Sequence, residues 1–267
     1  MFVDHQGTLV MIGGAEERKG ERTILRKVAS LCGDHGNMLV VSIAAKYQQD
    51  VGTRYQKVFS SHGVKDAAVV TMTDRSEADS SRMEDLLKSA AGVFFTGGDQ
   101  LRITGMLGGT KFAHLLKERY REGTTLVAGT SAGASAMGQI MIVGGRANRP
   151  ATHETTHISS GLGLLEGVVV DQHFAQRGRI GRLVSTIAEN PEVLGLGIDE
   201  DTGVLLRSGR EMEVLGSGSV TILDGHDISH SNLSEASLGS PLALSPVVMH
   251  VLPAGYRFDI RNRVLLE

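Results

Sequence analysis

The sequence predicts an α/β fold, with a mostly parallel sheet covered by helices on both faces and antiparallel hairpins in the C-terminal third. Three observations predict it. Short apolar runs alternate with amphipathic segments through the first two thirds of the 267 residues. The runs are almost continuously apolar, as strands buried on both faces must be. Glycine occurs 34 times, a number that many tight strand-to-helix turns would use, because glycine takes positive φ without steric cost.

The elements follow in order. Leu9-Val10-Met11-Ile12 reads as a buried strand that stops at Gly13-Gly14. Over 20–32, Ile24, Leu25, Val28, Ala29 and Leu31 fall on one side of a helix. Met38 to Ile43 is a second strand, 50–61 a helix, Ala67 to Met72 a third strand and 80–90 a helix. Val93-Phe94-Phe95 is a fourth strand, ending at Thr96-Gly97-Gly98, and helices follow over 100–107 and 110–122. Thr125 to Ala128 is a fifth strand, with a helix from about Ser131. Beyond residue 200, Val204–Leu206, Glu213–Leu215, Val220–Leu223 and Val247–Leu252 are short runs broken by Gly, Asp and Ser, which reads as hairpins or an antiparallel extension of the same sheet. No linker, repeat or low-complexity stretch divides the chain, so residues 1–267 are expected to form a single domain.

Composition narrows the function. A net charge of −3 argues against a general polyanion binder. Trp is absent and aromatics make up 4%, which disfavours recognition by stacking, so no nucleic-acid partner is expected. The one cysteine, Cys32, excludes an intrachain disulfide and is expected to be a small buried core residue in a reducing compartment. The N-terminus carries neither a basic n-region nor an apolar h-region. No apolar run approaches the ~20 residues that span a bilayer. The expected location is the cytoplasm.

The strongest local signal is Gly129-Thr130-Ser131-Ala132-Gly133, a G-x-S-x-G pattern preceded by a strand and followed by Ala134, Ser135 and Ala136. A serine on a sharp strand-to-helix turn needs small neighbours, and the turn exposes Oγ beside a helix N-terminus that favours developing negative charge. The bland alternative is a serine N-cap. Such a nucleophile needs a base. Val168-Val169-Val170-Asp171-Gln172-His173 is an apolar run ending in polar residues, which places His173 at a strand terminus. An acid should orient the imidazole, and Leu194–Ile198 runs into Asp199-Glu200-Asp201. Spacing alone leaves all three carboxylates open, against a plain solvated acidic turn. Gly97-Gly98-Asp99 can bring a backbone N–H, that of Gly98, close to substrate, and with the N–H of Ala132 it would form an oxyanion hole. Arg179 and Arg182 lie three apart, so on a helix they share a face and can reach carboxylates.

Four blocks then resemble the cyanophycinase family: Phe95 to Arg102, Gly129 to Ala134, Val170 to Phe174 and Gly195 to Thr202. They occur in the family's order, and the similarity runs from about Ile12 to beyond Thr202. The wider superfamily includes aspartyl dipeptidase and the class I glutamine amidotransferase-like fold. The resemblance implies a three-layer α/β/α sandwich, usually dimeric. It implies Ser131 as nucleophile, His173 as base and Glu200 as the orienting acid. It further implies a substrate pocket from Asp99, Gln100, Asp171, Gln172, Arg179 and Arg182, and no metal or organic cofactor. The substrate it implies is cyanophycin, a poly-aspartate carrying arginine on each side chain, cut to β-aspartyl-arginine dipeptides. Arg146 to Ser160 and the C-terminal third match the family less clearly.

Three rival readings stand beside it. His153-Glu154-Thr155-Thr156-His157 fits the zinc-peptidase pattern H-E-x-x-H. That pattern works only on a helix, and this stretch follows Pro150, contains Thr152, Thr155 and Thr156, and runs into Ser159-Ser160-Gly161, so it reads as a surface loop. A non-hydrolytic amidotransferase-like binding module would not need Ser131, His173 and an acid at three strand ends. An aspartyl dipeptidase would share Ser131 and His173 but take a short α-linked substrate.

Overall fold

The structure, a computed structural model, describes residues 6–17, 20–33, 36–145, 147–153 and 156–267. A nine-stranded sheet forms its centre. Five strands of that sheet come from the N-terminal half: β1 (Thr8–Ile12), β2 (Asn37–Val41), β3 (Asp66–Val70), β4 (Gly92–Phe95) and β5 (Leu126–Thr130). They lie in the order β1-β5-β4-β2-β3 and pair in parallel. Helices α1 (Thr23–Leu31), α2 (Gln48–Ser61), α3 (Ser81–Ser89), α4 (Gln100–Leu107) and α5 (Lys111–Arg121) connect them.

Strand alternation divides the core between two faces. Val10 and Ile12 of β1 pack with Ile24, Leu25 and Val28 of α1 and with Tyr55 and Phe59 of α2. Leu9 and Met11 point the other way, into a core with Leu87 of α3, Ile103 of α4 and Phe112 and Leu116 of α5. Cys32 is buried on the first of these faces, and desolvation pushes its thiol up to about 12.

The elbow helix α6 (Ala132–Ser135) is a single turn. The carbonyls that would continue it are taken from outside: Leu162 N donates to Ala136 O, and Leu164 N and Leu165 N donate to Met137 O. The chain instead enters an antiparallel ribbon of β6 (Ile140–Gly145) and β7 (Thr156–Ser160). This corrects the expected surface loop around the H-E-x-x-H pattern. His157 sits on a strand opposite Gly144, where β-branched Thr156 and Ile158 favour extended backbone. Arg146, Glu154 and Thr155 lie outside the described residues.

The remaining elements are β8 (Val168–Gln172), α7 (Ile180–Glu189), β9 (Leu194–Ile198), β10 (Thr202–Arg207), β11 (Glu211–Gly216), β12 (Ser219–Asp224), β13 (His230–Ser231), β14 (Leu244–Ser245), β15 (Val248–Pro253), β16 (Arg257–Asp259) and β17 (Val264–Leu266). Four of them, β10, β11, β16 and β17, extend the central sheet antiparallel from β1. The extension expected from the last third is therefore present, but it accounts for only part of that third. A separate four-stranded sheet, β15-β12-β9-β8, holds the strands that end at His173 and at the acidic triplet. Val168 and Val170 of β8 and Leu196 of β9 share a core with Ala134 and Met137 behind the elbow. The opposite face of this smaller sheet packs Val169 and Leu223 against Leu183 and Ile187 of α7.

Candidate active site

The site lies where the two sheets meet. Gly129 to Gly133 makes the predicted sharp turn after β5. Ser131 takes φ 53° and ψ −114°, a conformation that L residues avoid, at a cost of about 1–3 kcal/mol that the surroundings must hold. The small neighbours are required: a Cβ on Gly133 would run into the Phe95 carbonyl, and one on Gly129 would stand 2.8 Å from the Gly133 backbone. Ser131 N donates to Ile12 O at 2.9 Å, which ties the elbow to the end of β1.

His173 follows β8 and also has positive φ, 49°. Its N–H donates to Gly13 O at 2.8 Å. Its Nε2 lies 3.0 Å from Ser131 Oγ, and its Nδ1 lies 2.6 Å from Glu200 Oε1. The three side chains thus form one hydrogen-bonded line from the large sheet to the small one. With Nδ1–H donated to the carboxylate, Nε2 faces the serine as an acceptor. The imidazole side chain is 10% exposed and Glu200 36%. Burial pulls the His173 pKa below its ordinary value, with Glu200 opposing and Arg177 and Arg179 assisting. The imidazole is therefore neutral at neutral pH, the state a general base needs.

The acidic triplet resolves by its partners. Asp199 accepts from Ala175 N at 3.0 Å, from Ser219 N at 3.2 Å and from Ser219 Oγ at 2.9 Å. Asp201, at φ 47°, accepts from Glu17 N at 2.9 Å and Ser217 Oγ at 2.7 Å. Only Glu200 of the three reaches His173, and Gln176 Oε1 accepts its N–H at 3.0 Å.

Gly97 and Gly98 border the elbow. A Cβ on Gly97 would stand 3.9 Å from Ser131 Oγ. Gly98 has φ 147°, and a Cβ there would strike the Ala44 carbonyl, so this close approach of backbone to backbone requires glycine. Ala132 is the first residue of α6, so its N–H is one of the donors that a helix leaves without an intrahelical partner. Asp99 caps α4, accepting from Leu101 N at 2.9 Å, and Gln100 Nε2 donates to Ile142 O of the ribbon at 2.8 Å.

Gln172 faces the serine, whose Oγ lies 3.3 Å from its Oε1. Asp171, Arg179 and Arg182 come together, although not as two guanidiniums open to a ligand. Asp171 is fully enclosed and takes both forks: Arg182 binds it bidentately through Nε and Nη2, and Arg179 Nη1 lies 3.2 Å from Oδ1. Burial pushes the Arg179 pKa down to about 10, against the pull of Asp171. An internal carboxylate at the centre of the cluster was not legible in the spacing of residues 179 and 182.

Sequence reasoning also missed Gly13 and Gly14, read only as the end of a strand. Gly14 has φ 103°, and a Cβ there would stand 2.5 Å from His173 Nε2. Asp201 N donates to Gly14 O at 2.9 Å. The turn after β1 therefore touches the backbone of each of the three loops that supply the line. The paired glycines were the available signal.

A hydroxyl, a neutral imidazole and a carboxylate in line can carry out acyl transfer. The profile of peptidase family S51 matches residues 9–214. The chain belongs to peptidase family S51. It is accordingly a serine-type peptidase, a hydrolase. A cyanophycinase of Nostoc sp. is 37% identical over 259 residues, covering 97% of this S51 chain and 87% of the relative. A cyanophycinase of Synechococcus elongatus is 35% identical over 97% of this chain and 80% of its own length. Among solved structures, a peptidase from an acI-B1 Actinobacterium superposes with a TM-score of 0.71 over 97% of this chain and 99% of its own, at 20% identity, and so shares the fold. No helix among the described residues is long and apolar enough to cross a membrane.

Proposed function

We propose that this S51 peptidase hydrolyses cyanophycin as an exopeptidase, releasing β-aspartyl-arginine dipeptides. The observation that carries the chemistry is the line Ser131 Oγ, His173 Nε2, His173 Nδ1, Glu200 Oε1, with contacts of 3.0 and 2.6 Å. Relatives described as cyanophycinases, matched over nearly the whole chain, support the substrate.

Ser131 Oγ attacks the scissile carbonyl carbon as its proton passes to His173 Nε2. Glu200 holds the imidazole by Nδ1 and stabilises the imidazolium that forms. The backbone N–H groups of Gly98 and Ala132 take the developing oxyanion. His173 then returns the proton to the leaving nitrogen, and the C–N bond breaks to leave an acyl-serine. A water, deprotonated by the same Nε2, attacks this ester, and the proton goes back to Ser131 Oγ as the acid product leaves. Asp99, Gln100 and Gln172 border the bound branch. Asp171 works through the guanidiniums of Arg179 and Arg182, which it holds enclosed behind the pocket rather than open to the substrate.

The chain acts as one domain, since a single apolar core runs from the large sheet into the small one. A cytoplasmic homodimer is the form we propose, in keeping with the resemblance and with a lone buried thiol. Incubating the purified protein with cyanophycin and weighing the products tests the reading. Release of β-aspartyl-arginine supports it. Intact polymer beside cleaved α-aspartyl dipeptides would make the chain a dipeptidase instead.

A further inference from the structure

The mechanism leaves unused a buried carboxylate that lies against the elbow. Glu16 is 4% exposed, and both of its oxygens are taken by hydroxyls. Thr130 Oγ1 donates to Oε2 at 2.5 Å, and Tyr55 Oη of α2 donates to Oε1. Enclosing a carboxylate is costly unless it serves as an acceptor for well-placed donors, so this group has a task. Thr130 is the residue immediately before Ser131. Glu16 lies just beyond the turn whose carbonyls hold the three loops: Ile12 O accepts Ser131 N, Gly13 O accepts His173 N and Gly14 O accepts Asp201 N.

We infer that Glu16 is a positioning residue for the nucleophile: it fixes Thr130 from below and so sets the strained Ser131 turn against His173. The inference rests on the serine-peptidase reading above. The turn needs such a hold. Ser131 has φ 53°, and its own N–H is fixed only on the β1 side. A strained backbone persists only where its surroundings over-determine it. The Thr130 hydroxyl supplies a second hold, on the α1 and α2 side of the sheet, and Glu16 anchors it to Tyr55. Without that hold the turn relaxes toward an ordinary helix start, and the 3.0 Å contact between Oγ and Nε2 opens. The loss falls on the reactivity of Ser131 more than on substrate binding, because Glu16 is enclosed beneath the elbow.

The test compares Thr130→Val with Thr130→Ser. Valine keeps the shape and removes the donor, whereas serine keeps the donor. Two readouts are taken well below the melting temperature of each variant: kcat and KM on cyanophycin, and the rate at which a fluorophosphonate probe labels the protein. We expect Thr130→Val to lower kcat and the labelling rate together by about tenfold or more, with KM within about twofold. Thr130→Ser should restore both. Glu16→Gln should fall between them, since the amide keeps one acceptor. A role in stability alone would lower the melting temperature and leave the labelling rate unchanged, which would overturn the inference. So would a Thr130→Val variant at the parent's rate. If Ser131→Ala still takes up the label, the serine reading falls and the Glu16 inference falls with it.

Discussion

Gly14 gives the sharpest test of the site geometry. Substituting alanine does two things at once. It places a Cβ on a residue at φ 103°, which costs an L residue about 1–2 kcal/mol. It also sets that Cβ 2.5 Å from His173 Nε2, whereas ordinary contact begins near 3.4 Å. The imidazole must therefore withdraw by about 1 Å, and a displacement of that size at a reacting group costs about 100-fold in rate. The withdrawal stretches the 3.0 Å contact with Ser131 beyond hydrogen-bond length. The expected result is a loss of about 100-fold in kcat, with a melting temperature lower by only a few degrees. Gly63→Ala is the control. Gly63 has φ 90° and open space around the Cβ position, so it carries the backbone strain without the collision. Steady-state kinetics on cyanophycin and thermal unfolding of both variants provide the comparison. The reasoning is refuted if Gly14→Ala stays within about threefold of the parent, or if Gly63→Ala loses as much activity.

Other outcomes follow from the same geometry. Ser131→Ala should keep the fold and lose on the order of 10⁶ in kcat; activity within about tenfold of the parent would remove the serine from the chemistry. Glu200→Gln should cost about 10³–10⁴ in kcat, less than His173→Ala. Asp199→Asn and Asp201→Asn should cost less than Glu200→Gln, and because three donors converge on Asp199, its loss should appear as about 1–3 kcal/mol of stability. The ranking fails if either aspartate variant is slower than Glu200→Gln. The base must be neutral, and burial depresses its pKa, so the acid limb of kcat/KM should lie below pH 6.5. Glu200 raises that pKa, so Glu200→Gln should move the limb lower still; an upward move contradicts the assignment. EDTA or 1,10-phenanthroline should leave activity unchanged, and loss restored by zinc would reopen the metal reading.

The parallel strands and helices of the N-terminal half and the elbow were legible in the sequence. Each parallel strand was legible because burial on both faces leaves an unbroken apolar run. The elbow was legible because its requirements are local: a strand, glycines at 129 and 133, and small residues after Ser131. The strand ends at His173 and at the acidic triplet were legible for the same reason. Tertiary structure decided how these ends meet. Local pattern does not say that β8 and β9 leave the central sheet for a second one, since a strand's partners are set by contacts distant in sequence. It does not choose among Asp199, Glu200 and Asp201, which share charge and neighbourhood. The choice came from Ser219 and Ser217, which take the two aspartates, and from the turn at Asp201. Nor does it reveal that Asp171 occupies the arginine forks, or that Gly14 and Glu16 lie against the imidazole and beneath the elbow. Those roles exist only once β1 is seated between β5 and β10, because they depend on distances across the sheet that no local spacing encodes.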